Sequence, residues 1–565
     1  AGAVQGVEGE ILTRRNALRL LAVLFALFLS TWSFGRLCAA DSGGGSRHAG
    51  KRSVGERRAA EANGWWRHVE ALSSDEMQGR DTGSEGHRRA AEYVAAEFQR
   101  AGLIPAGTSG YFQAIRFQAR RIREKQSSLS LVREGRAEDV QLGEEAFLHP
   151  RPDAPQRLEA EAVFVGYGLR IPEQKHDDLA GLDLKGKIAV YLQGGPASIR
   201  APILAHYQSQ QERWRSLQRA GAIGMAAIPH PRAMDIPWER WKLLRNLPSL
   251  SLREPASAEM QGQQIGLTIH PGSADKFFQG TGHTLAQILD VAAAGRALPK
   301  FPLACAIRAV TSVEEWEVES ENVVGLLPGA HSRRRNEYVV LTAHLDHLGA
   351  GSPIDGDSIY NGAMDNAAGV ASLLEIARTL KDASLERSVL FAAVTGEEKG
   401  LLGSQHLLAS RSAPLDQIVA NINLDMFLPI HELRVLHVYG LSESSLGTDI
   451  RELAWNANLR LIGDPEPERN ILIRSDQYSF IRRGIPAIFC KFGYLQGTPE
   501  ERAQKEWLRR RYHAPSDDTS QPVNIGAAGK FNQLMATLTK KVADARRRPR
   551  WNSRSFFRRY TGRET

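Results

Sequence analysis

Two adjacent glutamates, Glu397 and Glu398, follow the apolar run SVLFAAV at residues 388–394. The run has the length and the composition of a buried strand, and neighbouring residues on a strand point to opposite faces. Two glutamates at a strand end can therefore reach two different targets. Taken alone, such a pair is more typical of a solvated loop before a helix, so its chemistry depends on what else the chain brings to the same place.

Four further side chains of metal-binding type fall at comparable positions. Two of them end apolar, strand-like runs, one precedes a helical pattern, and one lies in a loop before the last helical segment. Each alone has an ordinary explanation as a core histidine or a helix cap. Together they are expected at the carboxyl ends of the strands of one sheet, where α/β proteins bind ligands. With one of the two glutamates they offer two histidines and three carboxylates, a donor set that suits zinc, and also cobalt or manganese. The four are His344, Asp365, Asp425 and His513.

The chain beyond about residue 320 alternates apolar runs with helical patterns. This alternation predicts the α/β class, with a mostly parallel central sheet between two layers of helices. Between residues 146 and 310 short strands and many Gly and Pro turns predict a small β-rich domain instead. The predicted strands of the α/β part are 338–346, 388–394, 418–426 and 486–493, and its helices are 366–380 and 401–410.

The segments that carry these side chains resemble, in order and in type, the motif series of the M28 family of zinc aminopeptidases. The segment 146–310 is similar to the protease-associated (PA) domain that is often inserted in such enzymes. The resemblance covers roughly residues 65–545 and implies a zinc-exopeptidase fold with a PA-like insert. The matching motifs are HLDHLG (344–349), DSIYNGAMDNAAG (357–369), TGEEKGLLGS (395–404), NLDM (423–426) and YHAPSDD (512–518).

The resemblance implies a site for two zinc ions, with cobalt or manganese as substitutes. Asp365 would bridge both ions. His344 and Asp425 would complete the coordination of one ion, and Glu398 and His513 that of the other.

Three further roles complete the expected site. Glu397 would be the general base, and the Asp346 carboxylate would orient the His344 imidazole, a common support for metal-bound histidine. Tyr512 is a candidate hydrogen-bond donor to the tetrahedral oxyanion. The resemblance also implies a cis peptide bond between Asp365 and Asn366.

These expectations indicate a metal-dependent exopeptidase that acts on peptides, and first of all an aminopeptidase. A carboxypeptidase or dipeptidase on the same scaffold remains open; basic pocket residues that bind a terminal carboxylate would favour it. A glutaminyl cyclase, which typically uses one zinc ion, and an inactive binding protein are further alternatives. The complete set of candidate ligands and Glu397 argue against both.

The two ends of the chain carry the excess positive charge. The net charge is +8, and the last 20 residues alone hold eight Arg and one Glu, so no basic face for nucleic acid is expected. The 15 residues of the apolar run at 20–34 follow a basic flank. They are fewer than the roughly 20 that span a bilayer and suit a signal peptide, with an uncleaved membrane anchor as the alternative. Either predicts an exported protein, periplasmic or secreted, and the anchor would hold it at a membrane.

The length of 565 residues predicts more than one domain. The three cysteines, at positions 38, 305 and 490, form neither a disulfide framework nor a metal-binding pattern. The expected division is a signal peptide or anchor (1–40), a linker (41–64), the first part of the peptidase domain (65–145), the inserted PA-like domain (146–310), the main part of the peptidase domain (311–545) and a basic disordered tail (546–565).

Overall fold

The computed structural model describes residues 54–253, 260–410 and 414–562. The predicted leader, 1–40, lies outside these residues. In the described part of the chain, no helix combines the length and the apolar character that crossing a bilayer requires. The helices are α1 Val54–Leu72, α2 Glu85–Arg100, α3 Ala201–Gln208, α4 Gln210–Arg219, α5 Trp238–Leu244, α6 Ala274–Phe278, α7 Leu285–Ala293, α8 Ala368–Leu380, α9 Leu402–Ala409, α10 Leu446–Asn456, α11 Gln477–Arg482, α12 Pro499–Arg510 and α13 Ile525–Asp544.

The strands form two large sheets and two small hairpin-like pairs. In chain order they are β1 Ile104–Pro105, β2 Phe112–Ile122, β3 Ser128–Arg133, β4 Arg136–Val140, β5 Ala146–His149, β6 Arg157–Phe164, β7 Arg170–Ile171, β8 His176–Asp177, β9 Ile188–Leu192, β10 Gly224–Ile228, β11 Ser249–Leu252, β12 Ile265–Ile269, β13 Phe301–Val310, β14 Val313–Leu327, β15 Tyr338–His344, β16 Gly349–Ile354, β17 Asp357–Tyr360, β18 Ser388–Val394, β19 Ile418–Asn423, β20 Val435–Tyr439, β21 Arg460–Ile462 and β22 Ala487–Phe492.

The first sheet has the order β11-β2-β14-β18-β15-β19-β22-β20-β21, and β1 also pairs with β14. Its centre, β18-β15-β19-β22, is parallel throughout, which confirms the predicted α/β architecture. Its flanks are partly antiparallel, because β2 and β14 pair antiparallel with their neighbours and β20 pairs antiparallel with β22, although β20 pairs in parallel with β21. The long strands β2 and β14 lie before and after the inserted segment and pair with each other. Because no crossover helix connects them as a βαβ unit, they need not be parallel.

Helices cover both faces of this sheet, as predicted. On β18, Val389, Phe391 and Ala393 belong to the core beneath α1, α2, α8 and α13. The alternate residues Leu390 and Ala392 pack into a second core with α9 and α11. The strand is therefore buried on both sides, which is why its sequence is an unbroken apolar run and not an alternating one.

The second sheet has the order β4-β3-β13-β6-β9-β10-β12-β5 and its own hydrophobic core. It begins at residue 128, earlier than the predicted boundary at 146, because Leu129 and Leu131 of β3 are buried in that core and β3 pairs with β13. Conversely β11, inside the predicted insert, pairs with β2 of the first sheet. The start of the second sheet at residue 128 and the place of β11 in the first sheet both depend on strand pairing between residues distant in sequence. Local composition does not reveal such pairing.

Two predicted unstructured segments are ordered in the described residues. Residues 54–64 of the predicted linker belong to α1. The prediction of a disordered tail from 546 is wrong up to residue 562. Trp551 is 9% exposed and donates its indole N–H to the Gly484 carbonyl at 2.8 Å, and Phe557 is fully buried. Aromatic side chains of the segment complete the core beside α11 and hold the segment in place. Its many arginines led to the prediction of disorder.

Two buried histidines predict that acid destabilises the fold. Burial, with nearby arginines, lowers the pKa of His87 and of His206 to about 3. An unfolded histidine takes up a proton near pH 6.5, so below that pH the unfolded chain binds protons that the folded chain refuses. Their contribution is complete above about pH 6.5 and is lost as the pH falls towards 3.

Each histidine is expected to remove up to about 1.4 kcal/mol per pH unit in that window. The Tm should therefore fall between pH 7 and pH 5, and the fall should be smaller in a His87→Gln variant. Thermal unfolding followed by circular dichroism at a series of pH values measures both. A pH dependence that is identical in the two proteins would remove His87 from this account.

Candidate active site

The carboxyl ends of three neighbouring strands carry four of the predicted side chains. His344 is the last residue of β15, and Asp425 lies just beyond β19. Glu397 and Glu398 follow β18 after a turn at Gly396, whose φ of 68° glycine adopts without steric cost. Because β15 pairs in parallel with both β18 and β19, these residues meet at one edge of the sheet.

Two loops bring the other two predicted ligands to the same edge. His513 lies between α12 and α13, and Asp365 lies in the turn before α8, where the Asp365–Asn366 peptide bond is cis, as the resemblance implies. The buried carboxylate of Asp517 accepts hydrogen bonds from the backbone N–H groups of Met364 at 2.9 Å and Asp365 at 3.0 Å. Asp517 therefore fixes the loop that presents Asp365.

Asp365 stands at the centre of the cluster and offers one oxygen to each side. Its Oδ1 lies 3.3 Å from Nε2 of His344, and its Oδ2 lies 3.2 Å from Nε2 of His513. His344 Nε2 is also 3.4 Å from Asp425 Oδ1, and His513 Nε2 is 3.3 Å from Glu398 Oε2. The five side chains thus form two halves that share Asp365.

The charges of this cluster show why it suits divalent cations. Burial lowers the pKa of His344, but Glu397, Asp365 and Asp425 outweigh burial and raise that pKa well above its ordinary value. Burial raises the pKa of Asp365, but hydrogen bonds from His344 and His513 hold it well below its ordinary value. Oδ1 of Asp425 is buried without a hydrogen bond. Buried carboxylates and imidazoles held this closely are the donor set of a zinc-type ion, and the residues fit such ions.

Glu397 differs from the other acids because neither histidine of the two halves lies within ion-pair distance of its carboxylate. Burial raises its pKa well above the ordinary value for glutamate, and the neighbouring Glu398 and Asp425 add to the rise. A carboxyl group with a raised pKa is suited to accept a proton and to give it up again.

The prediction that the Asp346 carboxylate orients the His344 imidazole is wrong, because a different group of Asp346 makes the contact. The His344 ring donates its Nδ1–H to the backbone carbonyl of Asp346 at 3.0 Å, whereas the nearest carboxylate oxygen is 3.9 Å away. The carboxylate instead accepts the backbone N–H groups of Glu397 at 3.1 Å and Glu398 at 3.3 Å, and the Thr82 hydroxyl at 3.1 Å. Asp346 therefore holds both glutamates in place and leaves Nε2 of His344 directed at Asp365.

His347 is a member of the cluster to which the sequence motif gave no role. It is fully buried, and its Nδ1–H donates to Oε1 of Glu398 at 2.8 Å. His347, Asp365 and Glu398 each offer a ligand atom within 4.8 Å of one another. The second histidine of the motif HLDHLG could have indicated His347 from the sequence. In the same way, the motif YHAPSDD could have indicated Asp517.

Replacing His347 by alanine is expected to weaken binding of a metal ion at the half formed by Glu398 and His513. Loss of a hydrogen bond that orients a ligand typically costs 10- to 100-fold in metal affinity, and about tenfold is expected. Titration of the metal-free protein with zinc by calorimetry measures it. His347→Asn, whose amide can replace the Nδ1–H donor, is the matched control and should recover most of the affinity. Equal affinities in all three proteins would contradict the role.

The guanidinium group of Arg80 lies beneath the cluster with no exposed surface. It donates to the carbonyl oxygens of Leu345 at 2.9 Å, Asn361 at 2.6 Å and Gly362 at 3.0 Å, and also to that of Leu72. These bonds join the end of β15 to the loop that leads to Asp365. Arg80 was not recognised from the sequence, because its position far upstream gave no sign of the contact.

A cleft of about 680 Å³ opens over the cluster. Its lining includes Tyr512 and Lys491, together with Gln208 and Asp235 from the part of the chain that holds the second sheet. Burial raises the pKa of Tyr512 well above its ordinary value, so its hydroxyl stays protonated. The cleft thus contains a neutral hydrogen-bond donor next to His513.

Comparison with known families locates this cluster within a recognised domain. Residues 322–539 match the model of peptidase family M28, and all the predicted ligands lie between those limits. This stretch therefore resembles a peptidase family M28 domain. The region that matches the M28 model contains the central parallel strands and the ligand-bearing loops described above.

Individual proteins similar to the chain agree with this assignment. A probable zinc metalloprotease of Pyrenophora teres f. teres is 37% identical over 111 residues, which are 20% of this chain and 23% of that protein. An aminopeptidase of Pseudomonas aeruginosa is 32% identical over 245 residues, 41% of this chain and 42% of that protein. The chain thus spans less than half the length of these two relatives.

A solved structure extends the similarity of fold beyond residues 322–539. The aminopeptidase from Aneurinibacillus sp. strain AM-1 superposes with a TM-score of 0.51 over 87% of this chain and 98% of its own, at 19% sequence identity. At this identity the comparison supports the fold.

Proposed function

We propose that the protein is a metal-dependent exopeptidase, specifically an aminopeptidase that removes N-terminal residues from peptides. The observation that carries the proposal is the division of the two Asp365 oxygens between His344 and His513, each of which also contacts one further carboxylate. Glu397 lies beside this paired arrangement, without contact to either imidazole within ion-pair distance.

The proposed cofactors are two zinc ions. His344 and Asp425 would hold one, Glu398 and His513 the other, and Asp365 both. When bound, a pair of such ions lowers the pKa of an attacking water and polarises the scissile carbonyl. Zinc is supported by the donor types and by the similarity to a probable zinc metalloprotease.

The remaining steps belong to side chains of the protein. Glu397 would accept the proton of the attacking water and deliver it to the leaving amine, and its raised pKa suits a group that must do both. The Tyr512 hydroxyl would donate to the oxyanion that develops on the substrate carbonyl. Asp346 would keep Glu397 in position through its backbone N–H.

A carboxypeptidase or dipeptidase is the second candidate, favoured by one observation. Lys491 lines the cleft next to Asp425, and burial lowers its pKa to about 8. An ammonium group at this place suits a substrate carboxylate better than a substrate α-amine.

The test compares peptides blocked at either end, with zinc supplied to the purified protein. An aminopeptidase should hydrolyse a peptide with a free amine and an amidated carboxyl end, and should leave an N-acetylated peptide intact. Release of C-terminal residues from the N-acetylated peptide, with no cleavage at free amines, would favour the second candidate. No hydrolysis of either peptide would reject the proposal.

We also propose that the part of the chain predicted as an insert, 146–310, is a PA-like domain, and that residues 1–40 direct export. The separate second sheet with its own core supports the first, and the basic flank before an apolar run supports the second. Fractionation of expressing cells, with N-terminal sequencing of the recovered protein, tests export. Recovery only from the cytoplasm would contradict it.

A further inference from the structure

A segment that leaves the second sheet after β10 crosses to the candidate active site. Its residue Asp235 has a side chain that is 8% exposed and contacts two arginines of the region that matches the M28 model. Oδ1 accepts from Nε of Arg469 at 2.6 Å, and Oδ2 accepts from Nη1 of Arg474. Although burial raises the pKa of a carboxyl, these guanidinium groups hold the pKa of Asp235 below its ordinary value.

Both the hydroxyl and the backbone of Tyr512 are linked to this segment, the hydroxyl through Arg474 and the backbone directly. Nη2 of Arg474 lies 3.3 Å from the Tyr512 hydroxyl oxygen, to which it donates. Arg240, in α5, donates to the Tyr512 backbone carbonyl at 2.6 Å and to the carbonyls of Arg509 and Arg510 at 2.9 and 3.0 Å. The position of the tyrosine thus depends on residues 235–240 as well as on its own loop.

We propose that Asp235 is a positioning residue that acts through Arg474 on Tyr512. The inference rests on the proposed peptidase function. A hydroxyl oxygen that accepts a hydrogen bond from a guanidinium has its single proton free for another acceptor. With Arg474 on one side of the oxygen, the Tyr512 proton is left for the cleft, where the oxyanion develops.

Asp235 also keeps Arg474 from a competing partner. Glu397 is among the negative charges that attract Arg474. Without Asp235, the guanidinium would lose its closest carboxylate and would be drawn towards the general base. The Tyr512 hydroxyl would then lose the donor that orients its proton. The segment therefore contributes to the chemical step and does not serve only to join the two sheets.

The experiment compares Asp235→Asn, Tyr512→Phe and the double variant with the wild-type protein. Asp235→Asn is expected to lower kcat about tenfold, leave KM within twofold and leave the zinc content unchanged, because it disturbs an interaction made mainly in the transition state. A phosphonate analogue of the tetrahedral intermediate should bind about tenfold more weakly by calorimetry. In the Tyr512→Phe background, Asp235→Asn should cost less than twofold.

Three controls separate positioning from structure. Asp235→Glu, which keeps the carboxylate, should recover most of kcat, and Tm values should show that each variant folds. Arg469→Gln breaks the other contact of Asp235 without touching Tyr512, so it should keep kcat within about twofold. Wild-type kcat in Asp235→Asn, or the same loss with and without the Tyr512 hydroxyl, would overturn this proposal alone. An inactive wild-type protein would overturn the peptidase function and this inference with it.

Discussion

Replacing Glu397 by glutamine is expected to lower kcat by about 10³-fold while the zinc content stays that of the wild-type protein. General acid–base catalysis by one positioned side chain contributes typically 10²- to 10⁴-fold. The amide cannot take the proton of the attacking water. The substitution keeps the size of the side chain and spares the backbone N–H that Asp346 holds, so the ligand side chains should not move.

Kinetic assays with metal analysis of the same preparations measure this effect. Glu452→Gln, on the exposed surface of α10, is the matched control and should behave as the wild type. A Glu397→Gln protein that lost its zinc would show that Glu397 is a ligand instead of the base. Near-normal turnover would remove it from either role.

Replacing Asp365 by alanine is expected to remove both metal ions and all measurable activity. Asp365 is the only described carboxylate that lies within 3.5 Å of both His344 and His513. Its loss also leaves two buried imidazoles without their shared acceptor. Asp425→Ala removes a carboxylate from one half only and should lower the zinc content by a single ion.

The comparison of the two variants decides whether the site is shared. Elemental analysis after dialysis against trace zinc measures the stoichiometry, and Asp416→Ala on the exposed surface controls for the purification. Loss of one ion in Asp365→Ala and of one ion in Asp425→Ala would contradict the bridging position. Retention of wild-type zinc content in both would contradict the metal site itself.

The positions of the ligands could be predicted because they follow from parallel strands. Any sequence that places His344, Glu398 and Asp425 just after buried apolar runs brings them to one edge once those strands pair. The pairing itself was indicated by the alternation of strands with helices. The central sheet and the meeting of the strand-end ligands therefore needed no knowledge of side-chain contacts, whereas the resemblance to the M28 motifs implied the roles of Asp365 and His513, which lie in loops.

The contacts that orient those ligands could not be predicted. Whether the carbonyl or the carboxylate of Asp346 receives the His344 proton depends on backbone direction over three residues. Arg80 joins carbonyl oxygens more than 200 positions away in the sequence, and Trp551 completes a core made by distant strands. Composition gave no sign of either contact.

Arg80 gives the acidic pocket a counter-charge that no chelator can remove. Burial lowers the pKa of its guanidinium to about 10, while Asp517, Asp365, Asp346 and Glu398 favour its charged form. The positive charge of Arg80 therefore partly offsets the repulsion among these acids before any metal ion binds. The metal-free protein should stay folded, with its carboxylates in place, and added zinc should restore turnover without refolding.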